Sequence, residues 1–397
     1  MVLVVHITCT SLVGAPLRVV DALNRYTNYA TKLVNLGAAK TPTGENFFSE
    51  DLDWLNDRQE AIELISKADI LHFHHPFDIN SDKNPFEFDF RANMKSGCRT
   101  IWQFHSAPSR YSKEIRELVV SNKWGPSFVI PHLAERYFPY SRLVPNLTPE
   151  YANTPIALDG GVNLFFSPSK PGRSAWEHRW ETKAEPETDK ILKRVCRNVS
   201  GTRYTYLYGK PLSEIMLARQ NADIVIDDLV TGSLHLTTLE TLSLGRVAVT
   251  YNDQRIRTNI LRLTGAPDIP VVNVRLEEAE CVLTDLCRQK ELVKELGDAG
   301  LDWFRTYYRS QDLVGHFVDG YDDLLDSEGK FREVTNLQRS DIQSQHGFWL
   351  HQKKEDIVWT ARRQNSLGRL RRWVEFKHLV SRLKRKLKRT LANWSSN

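Results

Sequence analysis

The residue types best suited to chemistry cluster in 221–250. An apolar burst at 224–226 runs into Asp227 and Asp228, then a loop through Gly232 and Ser233, then a short helical pattern with Leu236, Leu239 and Leu242 on one side. Gly245 stops that helix, and a second apolar burst follows at 247–251. This order of strand, loop, helix and strand leaves the free N–H groups of the helix start, near 233–236, facing the loop, where the helix dipole favours an anion. Glu240 adds a carboxylate inside the same helix, able to accept from sugar hydroxyls. Phosphates at the helix start and a ribose at the carboxylate together describe a nucleoside diphosphate, with His235 and Thr238 beside it.

Three other groups could act with this one. The burst at 162–166 leads through Ser167-Pro168-Ser169 into a polar segment that carries the cations Arg173, Arg179 and Lys183. Histidines follow two further bursts: His72, His74 and His75 at 70–75, and His105 after 100–104. In a parallel sheet that carboxyl edge faces the ligand crevice. His-x-His-His could in principle hold a metal, but no carboxylate or cysteine at ligand spacing completes it, so no metal is expected. The loop after the first burst, with Gly14-Ala15-Pro16, lets the backbone approach a ligand closely. It is not G-x-G-x-x-G, which disfavours a nicotinamide or flavin dinucleotide.

The elements that must position these groups alternate short apolar bursts with helical patterns, the mark of an α/β chain with parallel strands. Bursts are expected at 2–8, 70–74, 100–104 and 127–130 for one sheet, and at 162–166, 204–207, 224–226, 247–251 and 271–274 for another. Pro145 to Pro149 and Asp159-Gly160-Gly161 separate the two series. The first helix, behind Pro16, should turn Leu17, Val20, Ala22 and Leu23 inward, and 277–325 reads as helices. This gives domains at 1–155 and 156–325, with a tail at 326–397. A chain of 397 residues has the length for two such cores. With 41% hydrophobic and 26% charged residues, it is neither disordered nor an integral membrane protein. The five cysteines are scattered and show no C-x-x-C pair, so neither a disulfide framework nor a zinc knuckle is indicated.

Charge is distributed unevenly. From residue 330 onward there are 17 Lys and Arg against 5 Asp and Glu, which leaves 37 against 44 upstream. The folded part is therefore acidic, and nucleic acid is not an expected partner. In 367–394 apolar residues including Leu370, Trp373, Leu383 and Trp394 recur at three- and four-residue steps among Arg and Lys, a basic amphipathic helix suited to an anionic membrane surface. The opposing reading packs that stripe on the body or on a partner. The N-terminus lacks the basic flank and apolar length of a signal peptide, so a cytoplasmic protein, peripheral on the inner face of the membrane, is expected.

The stretch 221–250 resembles the second domain of retaining glycosyltransferases of the GT-B type, in the large family that includes sucrose synthases and bacterial polysaccharide transferases. Glu240 matches the second Glu of that family's Glu-x7-Glu motif. The first Glu position is Gly232 here. The resemblance extends over about 2–325, including Arg142-Leu-Val-Pro-Asn146. It implies two Rossmann-like domains facing across a cleft, and a nucleotide-sugar donor bound by Gly14, Ser169, Arg173, Lys183, Gly232, Ser233, His235 and Thr238. Catalytic roles are implied for His105 and Glu240, with His235 as the alternative imidazole. A glycan or lipid-linked acceptor is implied, with the nucleotide sugar as co-substrate and no cofactor. The rival class is a GT-B-like binding or scaffolding protein that lost turnover with the first Glu. A nucleotide-sugar 2-epimerase shares the fold, but no feature of the sequence favours it.

Overall fold

Seven strands form the first sheet: β1 (Leu3–Thr8), β2 (Ala30–Asn35), β3 (Leu52–Asp53), β4 (Ile70–Phe73), β5 (Arg99–Phe104), β6 (Ser127–Val129) and β7 (Arg142–Leu143). All pairings are parallel, in the order β3-β2-β1-β4-β5-β6-β7. The second sheet holds β8 (Asn163–Phe166), β9 (Arg203–Tyr206), β10 (Ile224–Ile226), β11 (Val247–Thr250) and β12 (Val272–Asn273), also parallel, in the order β12-β11-β10-β8-β9. The computed structural model describes residues 1–36, 51–105, 125–132, 138, 141–151, 160–168 and 186–326.

Helices are α1 (Ala15–Tyr26), α2 (Arg58–Lys67), α3 (Phe90–Asn93), α4 (Pro186–Asn198), α5 (Leu212–Gln220), α6 (Leu236–Ser243), α7 (Gln254–Thr264), α8 (Ala279–Arg288), α9 (Lys290–Tyr307), α10 (Ser310–Leu313) and α11 (Gly315–Asp326). Every expected burst is a strand to within about two residues. The expected helix faces differ in detail. In α1 the buried positions are Val19, Val20, Ala22 and Leu23, with Ala15 and Pro16, while Leu17 is half-buried. Strands β2, β3 and β7 are additional: exposed Lys32 interrupts the apolar run of β2, and β3 and β7 have two residues each. Such short or interrupted strands carry little periodic signal. Among the described residues no helix is long and apolar enough to cross a membrane.

One buried core joins the two sheets. Val4, Ile70, Ile101 and Phe128 of the first sheet belong to the same cluster as Leu239 and Leu242 of α6, Ala248 of the second sheet, and Phe304, Phe317 and Tyr321 of the last helices. The outer faces have their own cores, around Trp54, Phe73 and Phe90 on one side and around Leu192, Ile226 and Leu283 on the other. The chain does not finish on the second sheet. Helix α11 returns to the first, where Arg142 pairs with Asp323 at 2.8 Å and the Tyr29 hydroxyl donates to Asp322. Gly320 makes this approach possible, because a Cβ there would lie 2.4 Å from the Phe128 ring. The described residues accordingly belong to one compact unit, Met1–Arg332.

Candidate active site

In open parallel sheets a ligand crevice opens at the carboxyl ends of the strands where the order reverses. Here those points lie between β1 and β4 and between β8 and β10. The loop after β1 is under backbone strain: Leu12, Val13 and Gly14 are all left-handed, with φ of 45°, 56° and 78°. Only glycine adopts that region freely, and for a β-branched valine it is a true outlier. His75, just past β4, latches this loop. Its Nδ1 accepts from the Cys9 N–H at 3.2 Å, which leaves the ring proton on Nε2, 3.4 Å from the Thr10 hydroxyl. Burial pushes the His75 basicity down to about 4, so the latch is a neutral ring.

The loop after β10 is built by two carboxylates. Asp228 accepts from the N–H groups of Val230 and Thr231 at 2.8 and 2.9 Å, from the Thr231 hydroxyl, and from His235 Nε2 at 2.9 Å. Asp227 accepts from the Thr238 hydroxyl at 2.8 Å and its N–H at 3.2 Å, fixing the first turn of α6. Thr238 is therefore buried beneath the loop with its hydroxyl engaged. The Ser233 hydroxyl is buried and has no hydrogen-bond partner among the described residues. Gly232 has φ of 75°, and a Cβ there would lie 3.1 Å from the Tyr251 ring and 3.2 Å from Asp253. A side chain at 232 would be strained by the left-handed backbone and would crowd the Tyr251 and Asp253 side chains. Gly232→Ala should lower stability by about 1–2 kcal/mol through the left-handed backbone alone, read by thermal or urea unfolding.

Across the crevice the two sheets touch through named groups. His132, from the loop after β6, places Nε2 2.9 Å from His235 Nδ1, and its carbonyl accepts from Arg255 Nη1 at 3.0 Å. Since His235 Nε2–H serves Asp228, its Nδ1 lone pair takes the His132 proton, giving an ordered Asp228–His235–His132 chain. Glu240 is 2% exposed, and its two oxygens accept from Arg18 on α1 and Arg219 on α5. The Tyr151 hydroxyl accepts from Arg18 at 3.3 Å. Burial disfavours the Glu240 anion, but the two guanidinium groups outweigh it and hold the carboxyl below its usual range. Among the described residues two cations face one anion, with Arg18 Nη1 and Arg219 Nε buried and unpartnered.

The structure thus brings Gly14, Gly232, Ser233, His235, Thr238 and Glu240 to the facing carboxyl edges of the two sheets. His105 follows β5, part-exposed, with Nε2 3.0 Å from His74 Nδ1. Ser169, Arg173 and Lys183 lie outside the described residues, as does Arg179. Sequence reasoning missed Arg18, Arg219 and His132. Arg18 had one available signal, its place in the first turn of the helix behind Gly14.

No protein-family model matches the sequence, and no curated protein matches it. Solved structures do share the fold. A glycosyltransferase from Rickettsia africae ESF-5 has a TM-score of 0.50 at 11% identity, over 82% of this chain and 98% of its own. The sucrose-phosphate synthase of Thermosynechococcus elongatus has 0.50 at 12%, over 82% and 100%. Anabaena HepE, solved in complex with UDP and glucose, has 0.52 at 9%, over 81% and 100%. The chain is an α/β protein of the GT-B fold, with two Rossmann-like sheets.

Proposed function

We propose that this protein transfers a sugar from a nucleotide-sugar donor to a glycan or lipid-linked acceptor with retention of configuration. The observation that carries this reading is the buried Arg18–Glu240–Arg219 cluster, with Glu240 on the helix that follows Ser233, whose buried hydroxyl has no partner among the described residues. A nucleoside diphosphate suits it: the carboxylate has lone pairs left for ribose hydroxyls, and the excess positive charge suits phosphate. The Ser233 hydroxyl and the α6 amides take one phosphate, and Ser169, Arg173 and Lys183, outside the described residues, are assigned to the diphosphate by the resemblance alone. Gly232 keeps the loop close, His235 stands by the sugar, and Thr238 fixes the helix start. Gly14 and His105 serve the sugar and acceptor from the first sheet.

In this reading the bond from C1 of the donor sugar to the diphosphate breaks as the acceptor oxygen bonds to C1 on the same face. The acceptor proton passes to a diphosphate oxygen. Cations of the chain meet the charge growing on the leaving group, so the reaction proceeds without a metal or cofactor. A second reading, a binding protein without turnover, draws on one observation, the glycine at 232. Nucleoside diphosphate release separates the two. Purified full-length protein is screened against UDP-, GDP- and ADP-sugars by thermal shift and then by release. A donor that stabilises the fold and is turned over supports the transferase; stabilisation without release supports the binding protein.

The basic tail at 367–394, outside the described residues, supplies the proposed contact with an anionic membrane surface. Each basic residue near such a surface contributes about 1 kcal/mol before screening. Full-length protein should sediment with anionic liposomes, less so in high salt, and truncation before Leu367 should abolish sedimentation while nucleotide binding persists. Undiminished sedimentation of the truncated chain would move the membrane site elsewhere.

A further inference from the structure

The second sheet ends on an open edge. In the first sheet a third strand, β3, lies beyond β2, as in a full doubly wound half, whereas the second sheet stops at its second strand, β9. Among the described residues β9 pairs with β8 alone. The N–H groups of Arg203 and Leu207 donate to the Val162 and Phe166 carbonyls at 2.8 and 3.2 Å. Alternate residues therefore face β8, and the N–H and C=O groups of Tyr204 and Tyr206 point outward. Arg203, Thr205 and Tyr206 are exposed, and the strand has neither the lysine nor the proline that commonly guards an edge.

The helix that follows shows the same lack of cover. α5 carries Leu212, Ile215, Met216, Leu217 and Ala218, yet its one fully buried residue is Arg219, and Leu217 is 61% exposed. A helix with apolar groups on all sides is ordinarily enclosed. Ile215 and Ala218 join Leu207, just past β9, against Phe165, which is the register partner of Thr205. Arg203, Thr205 and Leu207 thus share the face of the sheet that α5 covers. The other face carries α4, where the Tyr204 hydroxyl donates to Asp189 at 3.0 Å. Charge on this surface is already matched. Asp189 pairs with Lys193 at 2.7 Å and Glu214 with Lys210 at 3.3 Å, and Arg203 Nε donates to Asn163 at 2.8 Å. A basic partner finds neither carboxylate open; what the patch offers is apolar area beside a strand edge.

We propose that this edge joins two copies of the chain about a twofold axis at Thr205, with β9 antiparallel to β9 of the second copy. The edge is its own complement. With the axis at Thr205, Tyr204 lies opposite Tyr206 of the second copy, and every outward N–H of the pair meets an outward carbonyl. Thr205 faces Thr205 of the second copy in the closer, non-hydrogen-bonded pairing. Arg203 faces Leu207 of the second copy, so no like charges meet. Tyrosine and threonine both suit a pleated strand. A ladder this short does not hold a dimer by itself. The apolar surface of α5, on the same face as Thr205 in each copy, supplies the burial that does. Symmetry makes the interface isologous, and the two second sheets become one continuous sheet.

The test is analytical ultracentrifugation of full-length protein at micromolar concentration, in wild type, Thr205→Lys, Thr205→Glu and Leu217→Asp. Both positions are exposed, so the variants should keep the wild-type melting temperature. Wild type should sediment at twice the mass of one chain. Thr205→Lys and Thr205→Glu each set like charges against each other at the axis and should raise the dimer Kd about fivefold, whereas their equimolar mixture should recover wild-type affinity. Leu217→Asp should raise the Kd about a hundredfold, because each copy loses a buried leucine. Amide exchange at Tyr204 and Tyr206 should be slow in wild type and fast in Leu217→Asp. A monomeric wild type overturns the proposal. So does a dimer that none of the substitutions weakens, which would use another surface, or a Lys and Glu mixture that does not recover. Slow exchange at Tyr204 and Tyr206 in a monomer would show that another segment of the same chain covers the edge, and also overturns it. Leu217→Asp reads the interface from α5 should a Thr205 variant fail to fold.

Discussion

Acidification from pH 7 to pH 5 should destabilise this protein steeply. His6, His72 and His74 are buried and neutral in the fold, with His6 down to about 3. In the unfolded chain each takes a proton near pH 6.5. Below that value the unfolded state binds protons that the folded state does not, so stability falls as the pH falls. Each such histidine contributes a slope of about 1.4 kcal/mol per pH unit, and three give roughly 4 kcal/mol per unit. Glu240 adds in the same direction near and below 4.5, since its carboxyl is held low in the fold. Asp223, whose carboxyl burial raises, opposes them as a single group. Against the 5–15 kcal/mol typical of folded domains, unfolding should set in at about pH 4 to 5. Urea titrations at half-unit intervals measure the slope, and His6→Gln should flatten it by about one proton. A stability that stays level from pH 6.5 to 5 would contradict the buried neutral cluster.

Glu240→Ala should be the most damaging single change near the crevice. It removes the one anion between Arg18 and Arg219, whose side chains are 9% and 4% exposed, and leaves two buried guanidinium groups uncompensated. Breaking a buried ion pair from one side costs about 3–5 kcal/mol. Arg18→Ala is expected to be milder, about 1.5–3 kcal/mol, because Glu240 keeps Arg219. Urea unfolding of both variants and of the double variant measures the coupling directly. Glu240→Gln, close in shape, is the variant for nucleotide binding. Equal costs for Glu240→Ala and Arg18→Ala would show that Arg219 contributes little.

The strands were legible because each is a short apolar burst bounded by turn residues, and 224–226 coincides with β10 to the residue. Glu240 was legible as a carboxylate in a short helix after Gly232. Its partners were not, since Arg18 lies 222 residues away on the other sheet's first helix and no local pattern announces a contact at that separation. The histidines were read as strand-end groups, but sheet order and register alone reveal that His6 joins them. The return of α11 was equally hidden. Its apolar periodicity marks a helix, and its tertiary contacts, such as Gly320 against Phe128 and Tyr321 against His72, show which sheet it serves.

The most direct measurement is a crystal structure of the full-length protein with the nucleoside diphosphate that stabilises it best. The account predicts density between the carboxyl ends of β1 and β10, with ribose hydroxyls in hydrogen-bond reach of Glu240 and a phosphate at Ser233 and the start of α6. A nucleotide bound elsewhere, with Glu240 still held only by Arg18 and Arg219, would contradict it.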